Sequence, residues 1–188
     1  TVGDASVEPV MRKALAIGAN DGIRIDADAK DDFFVATQIA KAAKEGGYDL
    51  ILTGKESIDY NGGAVPGLVA GMLDYGFVNG CIGLEVEGTT AKVVREIDGG
   101  KEKASVALPA VIAGQKGMVE ESALRIPNMR GIMQARSKQI TVVAAEPTET
   151  KVTVVGYEKP ASRGTVTLVD KDNVAELVRL LHEEAKVI

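Results

Sequence analysis

Two hydrophobic periods alternate along the first two-thirds of this chain. From Ser6 to about Ala19, the residues Val7, Val10, Met11, Ala14 and Leu15 share one side of a helix. Ser6 is placed to cap it, and Gly18 with Asn20-Asp21-Gly22 closes it. Ile23 to Ile25 then reads as a short strand. Asp31-Asp32 opens a second helix that carries Phe34, Val35, Gln38, Ile39 and Ala42 near helical spacing and stops at Gly46-Gly47. A short apolar run from Asp49 to Thr53 reads as a buried strand, and Ala64 to Leu73 as a third helix. Helix and strand taking turns in this way argue for a parallel sheet covered by helices.

After Leu73 the rhythm changes. Ile82 to Glu87 and Ala91 to Ile97 are strand-like runs around Gly88-Thr89-Thr90, a hairpin signal. Asp98-Gly99-Gly100 marks a second turn, and Lys103 to Leu108 a third strand. This antiparallel hairpin insertion returns to the core through Ala110 to Ala113. Gly114 to Asn128 has no period and reads as a long loop of the kind that carries function. A short helix, Met129 to Arg136, and a strand, Ile140 to Ala144, follow it. Beyond Glu146-Pro147 the chain reads as an extended arm. A final amphipathic helix capped at Asp172-Asn173 runs to about Lys186, with Val174, Leu177, Val178 and Leu181 on one face. The expected division is 1–145 for the α/β domain and 146–188 for the arm and helix, which need a second surface to pack on.

The junction from Leu50 to Gly67 carries the candidate chemistry. A strand ends at Gly54, a polar loop follows, and Asn61-Gly62-Gly63 leads into the helix at Ala64. In open parallel sheets, ligands bind where a strand's carboxyl end meets the next helix. Free amides and the helix dipole favour phosphate there. Glycine and asparagine suit a turn that needs positive φ. Gly54-Lys55-Glu56 is not a P-loop, and GxGxxG is absent.

Composition narrows the classes. The chain is 45% hydrophobic and 26% charged, which is ordinary for a globular protein. Its net charge of −5 and lack of tryptophan argue against nucleic acid as a partner. A single cysteine, Cys81, rules out an internal disulfide, and no apolar run is long enough for membrane insertion. Thr1-Val2-Gly3 reads as the end of a strand entering a helix.

Four motifs now fall into one order. These are Ala14 to Asn20, Thr53-Gly54-Lys55-Glu56-Ser57-Ile58-Asp59, Val93 to Glu102 (Val-Val-Arg-Glu-Ile-Asp-Gly-Gly-Lys-Glu) with Leu108-Pro109-Ala110-Val111, and Ile126-Pro127-Asn128-Met129. In this they resemble the beta subunit of electron-transfer flavoprotein, over most of the chain to about Ala145, without that family's usual N-terminal segment. The resemblance implies a Rossmann-like α/β fold akin to adenine-nucleotide hydrolases. It implies AMP, or a second FAD, bound in this subunit, and a working FAD held mainly by an alpha subunit. The resemblance places the nucleotide against Val2, Gly3, Gly54, Asn61, Gly62, Gly63, Ala64 and Val65. Many family members have hydrogen-bonding side chains where this chain has Gly63, Ala64 and Val65, so here the backbone would do more of the holding. Glu96 matches an acidic residue that pairs with an arginine of the alpha subunit. Leu124, Ile126, Pro127 and Met129 fall in the loop that docks transiently on acyl-CoA or other dehydrogenases, with Ile126 as its apolar anchor. The role implied is an electron carrier without catalytic residues of its own, shuttling electrons from such dehydrogenases to the respiratory chain. The implied compartment is a bacterial cytoplasm, or a mitochondrial matrix in a eukaryote.

The remaining reactive side chains read more plainly. His182 lies on the last helix without a partner acid, Cys81 reads as a strand residue, and Met129 and Met133 read as packing for a short helix. No metal-ligand spacing is present. Two other readings stand beside the carrier: an adenine-nucleotide enzyme or binding protein of the same fold class, and a purely structural interaction module. Against the first, the Ser-Gly-Gly-x-Asp-Ser loop of ATP-cleaving relatives is missing.

Overall fold

The computed structural model describes Thr1–Ile188, and its contacts divide the chain into two units, Thr1–Thr153 and Val154–Ile188. The first unit is a mostly parallel α/β fold. Its elements are α1 (Glu8–Ala16), β1 (Gly22–Asp26), α2 (Asp32–Gly46), β2 (Leu50–Gly54), α3 (Ala64–Leu73), β3 (Gly76–Glu87), β4 (Thr90–Ile97), β5 (Gly100–Ala107), β6 (Ala110–Gly114), α4 (Met129–Ser137) and β7 (Ile140–Ala144). Strand β1 pairs in parallel with β7 and, through a single bridge, with Val2. Strand β6 lies between β2 and β3, parallel to both, and β3, β4 and β5 form an antiparallel meander.

The alternation of side chains sorts the helices onto two faces. On β1, Ile23 and Ile25 face Gln38, Lys41 and Ala42 of α2. A Cβ on Gly22 would meet Met11 of α1, and Arg24 binds Glu8 of α1 at 3.0 Å, so α1 covers the opposite face. Helix α4 joins α1 there, held by Arg12, which donates to the carbonyls of Ala135 (2.7 Å) and Lys138 (2.6 Å). Helices α2 and α3 cover the first face, where Ala36, Ala40, Val69, Ala70 and Val111 form one core cluster with Ile51 packed against it. The second cluster, around Val78, Cys81, Ala91, Val93, Ala110 and Ile112, lies where the meander joins the parallel strands.

Parallel crossovers are right-handed in about 98% of cases. With α2 and α3 on the near face, β1 leads rightward to β2, and β2 leads rightward to β3. With α1 and α4 on the far face, Thr1–Gly3 leads leftward to β1, and β6 leads leftward to β7. Taken as right-handed, the four crossovers give one order across the two-stranded and the five-stranded sheet: β7, β1, Thr1–Gly3, then β2, β6, β3. The direction of winding reverses between Thr1–Gly3 and β2. That is the topological switch point, where ligands of open α/β sheets bind.

Several boundaries differ from the sequence reading. The first cap is Asp4 and not Ser6: the Asp4 carboxylate accepts from the Ser6 amide at 2.8 Å and starts a short 3-10 turn ahead of α1. Val10, expected on the inner side, is exposed. Strand β3 begins at Gly76, six residues before the expected Ile82. Gly80 (φ +67°) bends it, so its first half belongs to the parallel sheet and its second to the meander.

Residues 146–152, read as the start of the arm, are tied to α2. The amide of buried Gln38 pairs with both backbone groups of Glu146, donating to its O (3.0 Å) and accepting from its N (2.8 Å). Asp31 caps α2 through the Phe34 amide (2.7 Å) and accepts from the amides of Lys151 (2.5 Å) and Val152 (2.9 Å).

The second unit is an extended run followed by α5 (Val174–Arg179), capped by Asn173, and a π-helical turn, Leu180–Glu184. No residue from Val154 to Ile188 is buried. Val174, Leu177 and Val178, expected to pack on a partner, are exposed.

Candidate functional site

Two short segments flank the switch point. On one side, Val2 bridges Ile25, and the Gly3 amide donates to the Ile25 carbonyl at 3.0 Å. Gly3 is buried, and a Cβ there would come within 2.7 Å of Val7 Cγ1, so the turn into α1 closes only on glycine. The buried Arg24 guanidinium holds this corner, donating to the Gly3 carbonyl at 3.0 Å while paired with Glu8 and Asp26. These partners, the Asp26 hydrogen bond first, raise its pKa above the usual arginine value, so the corner stays charged and fixed.

On the other side, β2 ends at Gly54 and the loop 55–63 folds on itself. The Ser57 amide donates to the Gly62 carbonyl (2.9 Å), and the Gly62 amide donates to Ser57 Oγ (3.3 Å). The Ser57 hydroxyl, with the Tyr60 amide, holds the Asp59 carboxyl below the usual carboxylate range. Asn61 takes the left-handed conformation (φ +53°). Contrary to the sequence reading, Gly62 and Gly63 do not share it; Gly63 has φ −118°. Added Cβ atoms at Gly62 and Gly63 would lie at an ordinary contact distance, 3.4 Å, from Ser57 Oγ and the Lys55 carbonyl.

Helix α3 starts at Ala64 with no side-chain cap and no acid in its first turn. The amides of Ala64 and Val65 are therefore free for an outside acceptor, while Pro66 has none to offer. Helix α2 next to it has its N-terminus filled by Asp31. Asp32 approaches from that side: its carboxylate lies 3.6 Å from the position a Gly62 Cβ would take. At the end of β2, Thr53 Oγ1 is buried without a hydrogen-bond partner. The sequence marked Thr53 only as a motif position at the end of a strand, and passed over Arg24. A threonine ending an otherwise apolar strand was the available signal.

The topology thus gathers Val2 and Gly3 on one flank and Gly54, Asn61, Gly62, Gly63, Ala64 and Val65 on the other. Glu96 lies elsewhere, exposed on β4 opposite Lys101, where it accepts from Gln115 Nε2. Leu124, Ile126, Pro127 and Met129 form a third, separate group. All four are exposed, Ile126 by 82%, so it is not a core residue ahead of α4. Met129 and Met133 are also mostly exposed and do not pack α4 as expected; buried Ala135 does that. Pro127 closes one end of an apolar cleft between α1 and α4 of about 500 Å³, lined also by Pro9, Ile132 and Ala135 with Lys13 and Arg136. His182 is exposed, and its Nδ1 lies 2.9 Å from the Ile188 carbonyl. Cys81 is a buried strand residue, as read from the sequence.

Comparison with known proteins now bears on this arrangement. The family model of the electron transfer flavoprotein domain matches residues 1–148. The chain belongs to the electron transfer flavoprotein family. Its similar relatives are named electron transfer flavoprotein subunit beta. It is 36% identical over 162 residues to that of Syntrophomonas wolfei, covering 86% of this chain and 63% of the relative. It is 31% identical to that of Bacillus subtilis, covering all of this chain and 77% of the relative. It is 33% identical to that of Sus scrofa, covering 98% of this chain and 74% of the relative. The resemblance drawn from the four motifs is therefore correct at the level of family. No helix is long and apolar enough to cross a membrane.

Proposed function

We propose that this chain serves as the beta subunit of an electron carrier, holding an adenine nucleotide at the switch point and docking partners through two other surfaces. The observation that carries the nucleotide reading is the uncapped start of α3 beside Gly62 and Gly63. Free amides at a helix N-terminus bind phosphate without any side chain, and two residues lacking Cβ let the ligand approach the backbone. This fits a chain with Gly63, Ala64 and Val65 where hydrogen-bonding side chains would otherwise stand. Asp32 limits the fit. Its carboxylate over Gly62 repels a second negative group there, so the phosphate sits on the Ala64 and Val65 side. The ligand is AMP, or the adenine half of a second FAD.

The redox chemistry belongs to an FAD held mainly by an alpha subunit, and this chain's residues position and recognise. The exposed apolar face of α5, the arm ahead of it and Glu96 serve the alpha subunit. Leu124, Ile126, Pro127 and Met129, an apolar tip beside the cations Arg125 and Arg130, serve transient docking on a dehydrogenase.

The test is to purify the native assembly, denature it, and identify released nucleotides by mass spectrometry. An alpha chain with one FAD plus AMP, or with two FAD, is expected. An assembly that releases flavin but no nucleotide assignable to this subunit overturns the nucleotide reading.

A further inference from the structure

Ile126, the proposed docking anchor, is not held by bonds of its own. Neither Ile126 nor Pro127 makes a hydrogen bond to the rest of the chain. Helix α4, which follows them, has Ala135 as its single buried residue. Between α1 and α4 lies the open apolar cleft and not a filled interface. Hydrophobic burial therefore does little to fix α4, or the place of Ile126 ahead of it.

Two polar ties and one close approach do so instead. Arg12 of α1 donates from Nη1 to the carbonyls of Ala135 and Lys138 at the end of α4. Lys138 returns the tie: its Nζ donates to the carbonyls of Leu15 (2.9 Å) and Ala19 (2.5 Å) at the end of α1. Each helix end thus has carbonyls satisfied by a cation from the other helix.

Gly131 lets the two helices come this close. It is the third residue of α4, and its amide donates to the capping Asn128 Oδ1 at 2.8 Å. Glycine is a poor helix former, so its presence in a first turn needs a reason. Here a Cβ would run into the Ala16 carbonyl, a backbone atom that no side-chain rotation can move aside. Arg125, just ahead of Ile126, makes a matching contact. Its Nη1 lies 2.8 Å from where a Cβ on Gly18 would sit, and Gly18 has φ +133°.

We infer that Gly131, Lys138 and Arg12 are positioning residues that clamp α4 on α1, and so present Ile126 in its docking place before any partner arrives. An anchor fixed in advance avoids the loss of entropy that a mobile loop suffers on binding. The docking role of Ile126 rests on the function proposed above; the clamp itself rests on the contacts between α1 and α4.

Kinetics of the native assembly test the clamp, with the dehydrogenase of the native source that reduces the parent as electron donor. Gly131→Ala and Lys138→Met should each raise the KM for the assembly roughly fivefold or more, with kcat and released nucleotide unchanged. Lys138→Arg keeps the charge and the donors, and should stay within about twofold of the parent. The decisive comparison is the double variant of Ile126→Ala with Gly131→Ala. Its KM should equal that of Ile126→Ala alone, because a displaced loop then has no anchor left to misplace.

Multiplied effects in the double variant overturn positioning through Ile126, and so does a fall in kcat in place of a rise in KM. A parent-like KM in either Gly131→Ala or Lys138→Met, with Ile126→Ala impaired, overturns the clamp and leaves docking standing. A parent-like KM in Ile126→Ala removes the docking role, and this inference with it. Should Gly131→Ala fail to assemble, Lys138→Met alone and paired with Ile126→Ala gives the same comparison.

Discussion

Glycines around the switch point do two separate jobs, and substitution tells them apart. Gly3 is needed for packing: Gly3→Ala drives a Cβ against Val7 Cγ1 at 2.7 Å, and crowding of that kind costs about 1–3 kcal/mol. Its thermal midpoint should fall by several degrees in a melting experiment. Gly63 is needed for access. Gly63→Asp supplies α3 with the cap it lacks, worth only a few tenths of a kcal/mol over glycine, and puts an acid where phosphate is proposed to sit. The expected result is an unchanged melting temperature with nucleotide affinity, measured by calorimetry, weakened more than tenfold. A variant that binds as tightly as the parent removes phosphate from α3. Asn61 was legible because few side chains accept φ +53°. The surroundings of Gly62 and Gly63 were not, since Ser57, Asp32 and the Lys55 carbonyl come back to them from elsewhere in the chain.

Elements were readable where one period held throughout. Helix α2, with Asp31 before it and Gly47 (φ +63°) after it, ends where its caps require. Strand β3 was half hidden because Gly76 and Gly80 punctuate it, and each half pairs with a different strand, the first in parallel with β6 and the second antiparallel with β4. Gly80→Val should cost more than the ~1–2 kcal/mol of a left-handed residue, since the Cβ would also lie 3.3 Å from the Glu96 carbonyl. Urea unfolding measures it.

The tie between α2 and residues 146–152 was unreadable, because it joins side chains more than a hundred positions from their partners. It has a pH signature. The Phe34 amide first, then those of Val152 and Lys151 and the Lys151 charge, hold the Asp31 carboxyl below its ordinary range against the opposing effect of burial. Its contribution is therefore complete above the unfolded value of about 3.9 and fades as pH falls through the lower folded value. The NMR amide shifts of Lys151 and Val152 should move together below about pH 4. Asp31→Asn, which still caps a helix, should flatten that titration. Shifts that titrate unchanged in the variant would assign them to another carboxylate.

The division into two units sets the last expectation. Val154–Ile188 has no buried residue and makes no core of its own. Its α-helical stretch of six residues, with a π turn after it, is far below the 12–15 residues at which even favourable sequences become helical alone. Exposed along it are Val155, Tyr157, Val166, Leu168, Val174, Leu177 and Val178. On the function proposed above, this much apolar surface on so little structure serves as an interface segment whose order comes from what it covers. The first unit, by contrast, closes its own contacts through Thr153, with Gln38, Asp31 and the Lys41–Glu146 pair finishing that edge. Ending the chain at Thr153 should therefore leave the melting temperature within about 2 °C of the parent while abolishing co-purification with a flavin-carrying alpha chain. The two readouts separate the possibilities. A large fall in melting temperature would mean that the segment stabilises the α/β unit itself. Retained co-purification would place the partner contact on Glu96 and the meander. The unchanged melt with the lost partner is the pattern that follows from a helix whose hydrophobic face finds no cover among its own 35 residues.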